Sequence, residues 1–188
     1  MAATKVTEDV VIDQLLAVFR SVGYDGATMA QLAEATGLQK ASLYHRFPDG
    51  KLAMAKAVLD YIEVSSQAGI VAVLQQSAVK PENRLKPVLA TINALYNGGQ
   101  LSCVLRALSL GTAAPVFRAQ IAGIFNDWIS GFTQLGMDTG MTETDANRLA
   151  RSVVVRVQGV LILAQTLDQP DLFEQVLAEI ETGFLPQQ

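Results

Sequence analysis

The sequence predicts an all-α protein with about nine helices, in which a three-helix head containing a helix-turn-helix precedes a larger helical domain. Apolar residues recur at helical spacing along nearly the whole chain, from Val10 to Phe184. Prolines stand where helices are expected to begin. No stretch alternates apolar and polar residues as a half-buried strand does, so a β-rich fold is not expected.

Residues 28–51 have the length of a helix-turn-helix and contain residues that typically begin and end its helices. Thr28 followed three positions later by Gln31 matches a capping box, so a helix is expected to begin directly after Thr28. Gly37 stands where a left-handed residue ends such a helix. A second short helix is predicted from Lys40 to Phe47. Pro48 ends it, and Asp49 is expected to cap a further helix that begins near Gly50.

The second short helix has an outer face suited to double-stranded DNA. Leu43 and Phe47 lie one turn apart and are expected to face inward, which turns small and polar side chains outward. Short side chains allow a helix to approach base edges in the major groove, while flanking cations and hydroxyls bind phosphates. The predicted DNA contacts are Thr28, Gln39, Lys40, Ala41, Ser42, Tyr44, His45, Arg46 and Lys51.

These residues carry a resemblance to a known family. The matching positions are Phe19, Gly23, Tyr24, Thr28, the run LAEATGLQKASLYHRF and Lys51. Over residues 6–60 they resemble the DNA-binding domain of the TetR (tetracycline-repressor) family of transcriptional regulators, and the pattern Gly-Leu-x-Lys-x-Ser-Leu-Tyr-His-x-Phe fixes eight positions at one spacing. The chain departs from the commoner family form by one extra residue before Lys51.

The resemblance implies a domain organisation and a mechanism. Residues 6–60 would form the DNA-binding domain, and residues 61–188 a helical domain for effector binding and dimerisation. The family mode is a homodimer on an inverted-repeat operator, released when a small molecule binds and the fourth helix transmits the change. We therefore expect a repressor that binds double-stranded DNA and a small-molecule effector.

Charge and composition agree with a cytoplasmic protein but predict a narrow DNA footprint. The net charge is −4, and residues 1–60 carry six cations and seven anions. Between Gly37 and Lys51, however, three cations and His45 face only Asp49. Affinity for non-specific DNA should therefore be modest and fall quickly with salt.

The single cysteine suits a reducing compartment, and the longest strongly apolar run, Val153 to Ala164, is too short to span a membrane.

Beyond the helix-turn-helix, apolar spacing predicts the remaining helices. The apolar positions of the first helix are Val10, Ile12, Leu15, Leu16, Phe19 and Val22. The fourth helix is expected to run from near Gly50 to about Gln76 with no flexible linker between head and domain. The others are predicted near residues 82–97, 101–112, 115–136, 143–167 and 171–184, with Thr142 and Asp145 forming a cap.

Two of these helices are candidates for a dimer interface. The middle of the helix at residues 143–167, VVVRVQGVLILA, is apolar nearly all round and needs cover on more than one side. The helix at residues 171–184 carries a single apolar stripe that includes Phe173 and Phe184. Pairing both with their copies in a second subunit gives a four-helix interface. The alternative is an ordinary core helix in a monomer.

The effector site is indicated by composition rather than by a motif. Residues 94–135 mix small and aromatic residues, which can leave a cavity with aromatic walls. The predicted effector contacts are Tyr96, Cys103, Arg106, Trp128 and Gln158. Cys103 has a second interpretation as a small buried apolar residue, and Arg106 has one as a partner for a helix C-terminus.

Three classes of function are compatible with these patterns. A DNA-binding regulator is favoured. A helical small-molecule-binding protein or enzyme with a purely structural head is the alternative, and a helix-turn-helix used for protein contacts is a third. The only histidine lies on the predicted recognition helix, and we find no catalytic motif, metal-ligand spacing or cofactor loop. We therefore expect no catalytic residues, no metal and no cofactor.

Overall fold

A computed structural model of the chain describes residues 7–185, which form nine helices and contain no strand. They are α1 (Glu8–Gly26), α2 (Met29–Thr36), α3 (Lys40–Arg46), α4 (Lys51–Leu74), α5 (Pro81–Leu95), α6 (Val104–Leu108), α7 (Ala114–Asp138), α8 (Glu143–Thr166) and α9 (Asp171–Phe184). The predicted all-α fold is confirmed. Within α4, residues Gln67–Val71 form a π-helical turn.

Most predicted helices agree with the observed ones within two residues, but the one predicted at residues 101–112 does not. Only Val104–Leu108 is helical there. Asn97, Gly98 and Gly99 all have positive φ, so the chain leaves α5 through a left-handed turn. Gly111, also with positive φ, ends the region on the other side. These turns leave room for a five-residue helix only.

The buried face of α1 differs from the predicted one only at its two ends. Val11, rather than Val10, is fully buried, whereas Val10 and Val22 are 44% and 41% exposed. The helical geometry of α1 is interrupted at Gly23, with φ 68° and ψ −175°, directly after Val22. The other predicted apolar positions of α1 are buried: Ile12, Leu15, Leu16 and Phe19.

The chain divides into two compact units. The first unit comprises Met1–Glu63 and Val104–Ile121, and the second comprises Val64–Cys103 and Ala122–Gln188. Helices α4 and α7 contribute residues to both. Besides the N-terminal helices, the first unit thus contains α6 and the start of α7. The predicted functional boundary after residue 60 stays a prediction.

The core of the second unit accounts for the apolar stripe of α9. The ring of Phe173 packs edge-on against Tyr96, directly after α5, at a centroid distance of 5.9 Å, and the ring of Phe184 lies 5.7 Å from that of Phe132 of α7. Leu177 and Ile180 are buried as well. The chain's own helices therefore cover this stripe, and the predicted pairing of this helix with a second subunit is left to its other side.

Two helices, Lys51–Leu74 and Glu143–Thr166, are long and apolar enough to cross a membrane by length and composition alone. The core helix of a soluble protein passes the same test, so this is weak evidence. Both helices place apolar side chains in the protein core, including Val58 and Leu59 in α4 and Val153 and Val157 in α8.

Candidate nucleic-acid interface

The start and the end of α2 are built as the sequence predicts. The backbone N–H of Gln31 donates to Thr28 Oγ1 at 3.2 Å, and the backbone N–H of Thr28 donates to Gln31 Oε1 at 2.9 Å. This reciprocal pair is a capping box. Gly37 ends the helix with φ 62°, and its N–H donates to Glu34 O at 3.2 Å. These contacts fix where α2 begins and ends.

Helix α3 presents the predicted outer face. Leu43 is fully buried and Phe47 is nearly so, and Phe47 closes the helix by donating its N–H to Leu43 O at 2.8 Å. The remaining side chains of the helix are exposed: Lys40, Ala41, Ser42, Tyr44, His45 and Arg46. Gln39, directly before the first helical residue, is exposed too. Seven of the predicted DNA contacts therefore share one accessible surface, which we call the α3 face.

The turn after α3 is formed around Gly50. This residue has φ 60°, and its carbonyl accepts from Met54 N at 3.1 Å, which places Gly50 at the N-cap position of α4. The expectation that Asp49 caps α4 is therefore wrong. A Cβ at position 50 would lie 3.1 Å from Tyr44 Cε1. Gly50 thus leaves space for the ring of Tyr44, a relation that sequence reasoning missed.

Lys51 is held by two groups of the first unit. Its Nζ donates to Ala27 O at 3.0 Å and lies 4.4 Å from the centroid of the Tyr24 ring. The ammonium is therefore fixed between the end of α1 and the start of α4. Thr28, Tyr44 and Lys51 line a common depression. The structure thus brings these three predicted contacts together next to the N-terminal ends of α2 and α4, where free backbone N–H groups favour an anion.

The predicted effector residues fall into separate environments. Tyr96 and Cys103 are buried, and the tyrosine hydroxyl lies 3.6 Å from Cys103 Sγ. Trp128 is buried and donates from Nε1 to Ser66 Oγ of α4. Sequence reasoning missed Ser66, whose signal was a serine on the inward side of an otherwise apolar helix face.

The other two predicted effector residues are more accessible. Gln158 is half-buried on α8. Arg106 is exposed on α6 and belongs to the first unit, whereas Cys103 belongs to the second. The grouping of Arg106 with the other four residues therefore stays a prediction. Among residues 7–185, no group of three or more His, Cys, Asp or Glu side chains could hold a metal ion.

Comparisons with known proteins agree with this geometry. Residues 11–58 match the family model for bacterial regulatory proteins of the tetR family, and residues 88–179 match the model for the C-terminal domain of LmrA/YxaF-like transcriptional regulators. The chain belongs to the TetR family. Its predicted resemblance to that family is confirmed, and the second match extends the assignment to the C-terminal helices.

Individual relatives of this TetR-family regulator span almost its full length. The HTH-type transcriptional repressor DhaR of Mycobacterium sp. (strain GP1) is 25% identical and covers 99% of the chain and 96% of its own length. The crystal structure of a TetR regulator from Legionella pneumophila has a TM-score of 0.76 at 20% identity, covering 97% of this chain and 98% of that one.

A further solved structure shows the same fold on DNA. It is a cysteine mutant of the TetR-family regulator CifR complexed with 26-base-pair double-stranded operator DNA. Its TM-score is 0.74 at 20% identity, with 99% of this chain and 100% of that chain covered. These relatives are transcriptional regulators, and members of this family bind operator DNA and effectors and form dimers.

Proposed function

We propose that this TetR-family regulator is a repressor that binds an inverted-repeat operator as a homodimer and leaves it when a small molecule binds. The observation that carries the proposal is the exposed α3 face beside the depression that unites Thr28, Tyr44 and Lys51. The relative DhaR is a repressor, which supports the direction of regulation. A regulatory rather than catalytic role in the cytoplasm is part of the proposal.

The α3 face and the depression are proposed to make different kinds of contact with DNA. The α3 face has the short side chains of Ala41 and Ser42 at its centre, which permit close approach to base edges, and His45 supplies a ring nitrogen for hydrogen bonding. Lys40 and Arg46 flank them. The depression supplies backbone N–H groups, a hydroxyl and an ammonium for phosphates, which fix the register of the protein on the duplex without reading sequence.

The proposed dimer uses α8 and the outer side of α9. Val155, Ile162 and Leu163 lie on α8, and each is about half or more exposed within the single chain. A second copy would cover this row of apolar side chains, which gives the isologous interface of a two-fold dimer. The inner stripe of α9 is occupied by the chain's own core, so its outer residues remain available for the partner.

The proposed effector site lies in the second unit around Tyr96, Cys103, Trp128 and Gln158, with Arg106 as a further candidate. Aromatic side chains dominate this set, so we propose a small apolar or aromatic effector. Helix α4 is the proposed carrier of the signal. It begins at Lys51, beside the DNA-binding depression, and its Ser66 contacts Trp128.

The proposal is tested by fluorescence anisotropy with DNA fragments from upstream of the protein's own gene, against a shuffled duplex of equal length. We expect a preference of roughly a thousandfold or more for one fragment. Lys51→Ala should weaken binding to both duplexes, while Lys86→Ala, which removes the same charge from an exposed lysine of the second unit, should not. Equal affinity of the wild-type protein for all fragments would contradict a sequence-specific regulator.

A further inference from the structure

Two hydrogen bonds within the first unit join the end of α1 to the loop between α6 and α7. Asp25 Oδ2 accepts the backbone N–H of Thr112 at 2.8 Å, and Asp25 Oδ1 accepts the Thr112 hydroxyl. The two residues are 87 positions apart in the chain. Both carboxylate oxygens of Asp25 are thus occupied by one residue from a distant segment.

The loop is shaped to receive this carboxylate. Gly111 has φ 81°, and a Cβ at this position would overlap Asp25 Oδ2. On the same side, Gly23 passes Ala107 so closely that a Cβ would lie 3.2 Å from its carbonyl oxygen. Only glycine combines a positive φ with the absence of a side chain at such contacts. The segment around Asp25 is therefore fitted to α6 and the loop after it.

The same segment supports the proposed phosphate site. Tyr24 packs edge-on against Phe117 of α7 at 5.8 Å and carries the Lys51 ammonium over its ring. Asp25 lines the depression that contains Lys51. Hydrogen bonds from Thr112 hold the pKa of Asp25 below its usual value, and the charge of Lys51 lowers that pKa further. A carboxylate that is ionised at neutral pH therefore lies near the ammonium proposed to bind DNA.

We propose that Thr112, by holding Asp25, positions Lys51 for contact with a DNA phosphate. With both oxygens engaged by Thr112, the carboxylate is kept from pairing directly with Lys51. Without the Thr112 hydroxyl, Asp25 Oδ1 loses its donor and turns toward Lys51, where its charge neutralises the ammonium and lies next to the phosphate. Thr112 does not itself touch DNA in this scheme and is a positioning residue. The inference rests on the proposed DNA-binding function.

The test uses the full-length protein and Thr112→Val, which keeps the shape and the backbone N–H but removes the hydroxyl. We expect affinity for operator and non-operator duplexes to fall roughly tenfold, which is the size expected when the hydrogen bond between the Lys51 ammonium and a DNA phosphate is lost. Thr112→Ser should bind like the wild type. Thr91→Val removes a hydroxyl that donates to Pro87 O within α5, at an exposed position of the second unit, and serves as the matched control.

A double-mutant cycle separates positioning from general stability. Thr112→Val should cause no further loss in a Lys51→Ala background, because its effect acts through Lys51. Circular dichroism establishes that each variant is folded, and Thr112→Ala replaces Thr112→Val if the latter unfolds. Wild-type affinity of the Thr112 variant, or an equal loss in both backgrounds, overturns the inference. Failure of the wild type to bind any operator would instead contradict the proposed function itself.

Discussion

Arg84 and Asp138 form an ion pair at 2.8 Å between α5 and the end of α7, with the arginine only 1% exposed. The same guanidinium nitrogen donates to Leu74 O, the last residue of α4, at 2.7 Å. One buried cation thereby ties the ends of two long helices in the second unit. A helix C-terminus, with its free carbonyls and negative dipole end, is a favourable place for this charge.

Removing this cation should destabilise the protein strongly. We expect Arg84→Met to lower the free energy of unfolding by about 3 kcal/mol, because it leaves the partly buried carboxylate of Asp138 and the carbonyl of Leu74 without their donor. Arg148→Met is the control, since its partner Asp145 and the arginine itself are both exposed. It should cost about 1 kcal/mol or less in urea denaturation. Equal losses in the two variants would contradict a special role for Arg84.

The Arg84 effect should depend on pH. Burial raises the pKa of Asp138, but the hydrogen bonds from Arg84 and Gln134 outweigh this and hold the pKa below its usual value. A carboxyl whose pKa is lower in the folded state stabilises the protein above its unfolded pKa of about 3.9, and this stability is lost as pH falls through the folded value. The difference between wild type and Arg84→Met should thus shrink below about pH 4.

Tyr44 and Ser42 should affect DNA binding in different ways. Tyr44→Phe removes a hydroxyl proposed to bind phosphate, so affinity for every duplex should fall by a similar factor, roughly tenfold. Gly50→Ala should have the same pattern, because the added Cβ displaces the Tyr44 ring. Changes at Ser42 or His45 should instead alter base preference, at about 1–3 kcal/mol per lost contact.

Tyr61→Phe is the matched control for Tyr44→Phe, since Tyr61 is an exposed tyrosine of α4 outside the α3 face and the depression. Anisotropy titrations against a panel of single-base operator variants separate the two patterns. A Tyr44→Phe protein with wild-type affinity at low salt would rule out the phosphate role. A uniform loss at Ser42 would remove it from the set of base-reading residues.

The helix-turn-helix could be predicted because its signals are local. Thr28 and Gln31 lie one turn apart, and Gly37 marks the helix end by its own conformational freedom, so a short stretch of sequence contains the relevant contacts. The burial of Leu43 and Phe47 follows from spacing in the same way. Local geometry thus determined the orientation of the α3 face.

The contacts around this face could not be predicted, because they join distant segments. Nothing near Asp25 indicates that Thr112 will supply both of its hydrogen bonds. The turn at Gly98 and Gly99 shortened α6, although the apolar spacing of residues 101–112 favours a longer helix. The apolar stripe of α9 was correctly identified, but periodicity gives the buried side of a helix and does not say which helix covers it.

The dimer is best tested on the exposed row of α8. Val155, Ile162 and Leu163 are 70%, 49% and 53% exposed, so Ile162→Asp should leave the chain folded and make it monomeric. From sequence alone, a charge at Val160 could break either the dimer or the fold, and its 5% exposure predicts loss of the fold. Val116→Asp, on the exposed surface of α7 in the first unit, is the control.

Light scattering and circular dichroism on the same samples decide this point. A wild-type dimer should bind half-sites about 34–36 Å apart or a multiple of that distance, because the two recognition helices are related by the two-fold axis. Ile162→Asp should lose most of its operator affinity along with dimerisation. A wild-type monomer that binds a palindrome tightly would exclude the proposed interface.

Trp128 offers a direct readout of effector binding. It is the only tryptophan in the sequence, is buried, and donates to Ser66 Oγ in α4, so a ligand that enters its surroundings should change both its fluorescence and this hydrogen bond. An inducer must bind the DNA-incompetent state more tightly, since a ligand with equal affinity for both states shifts nothing. With a coupling of roughly 1–3 kcal/mol, operator DNA should weaken ligand binding about 5- to 150-fold.

The measurement is a titration of a Trp128-quenching aromatic compound with and without saturating operator, repeated with Ser66→Ala. We expect the substitution to reduce the difference between the two titrations while the affinity in the absence of DNA changes less. Equal affinities with and without operator in the wild type would show that the compound is not an inducer, and an unchanged difference in Ser66→Ala would exclude this hydrogen bond from the signal.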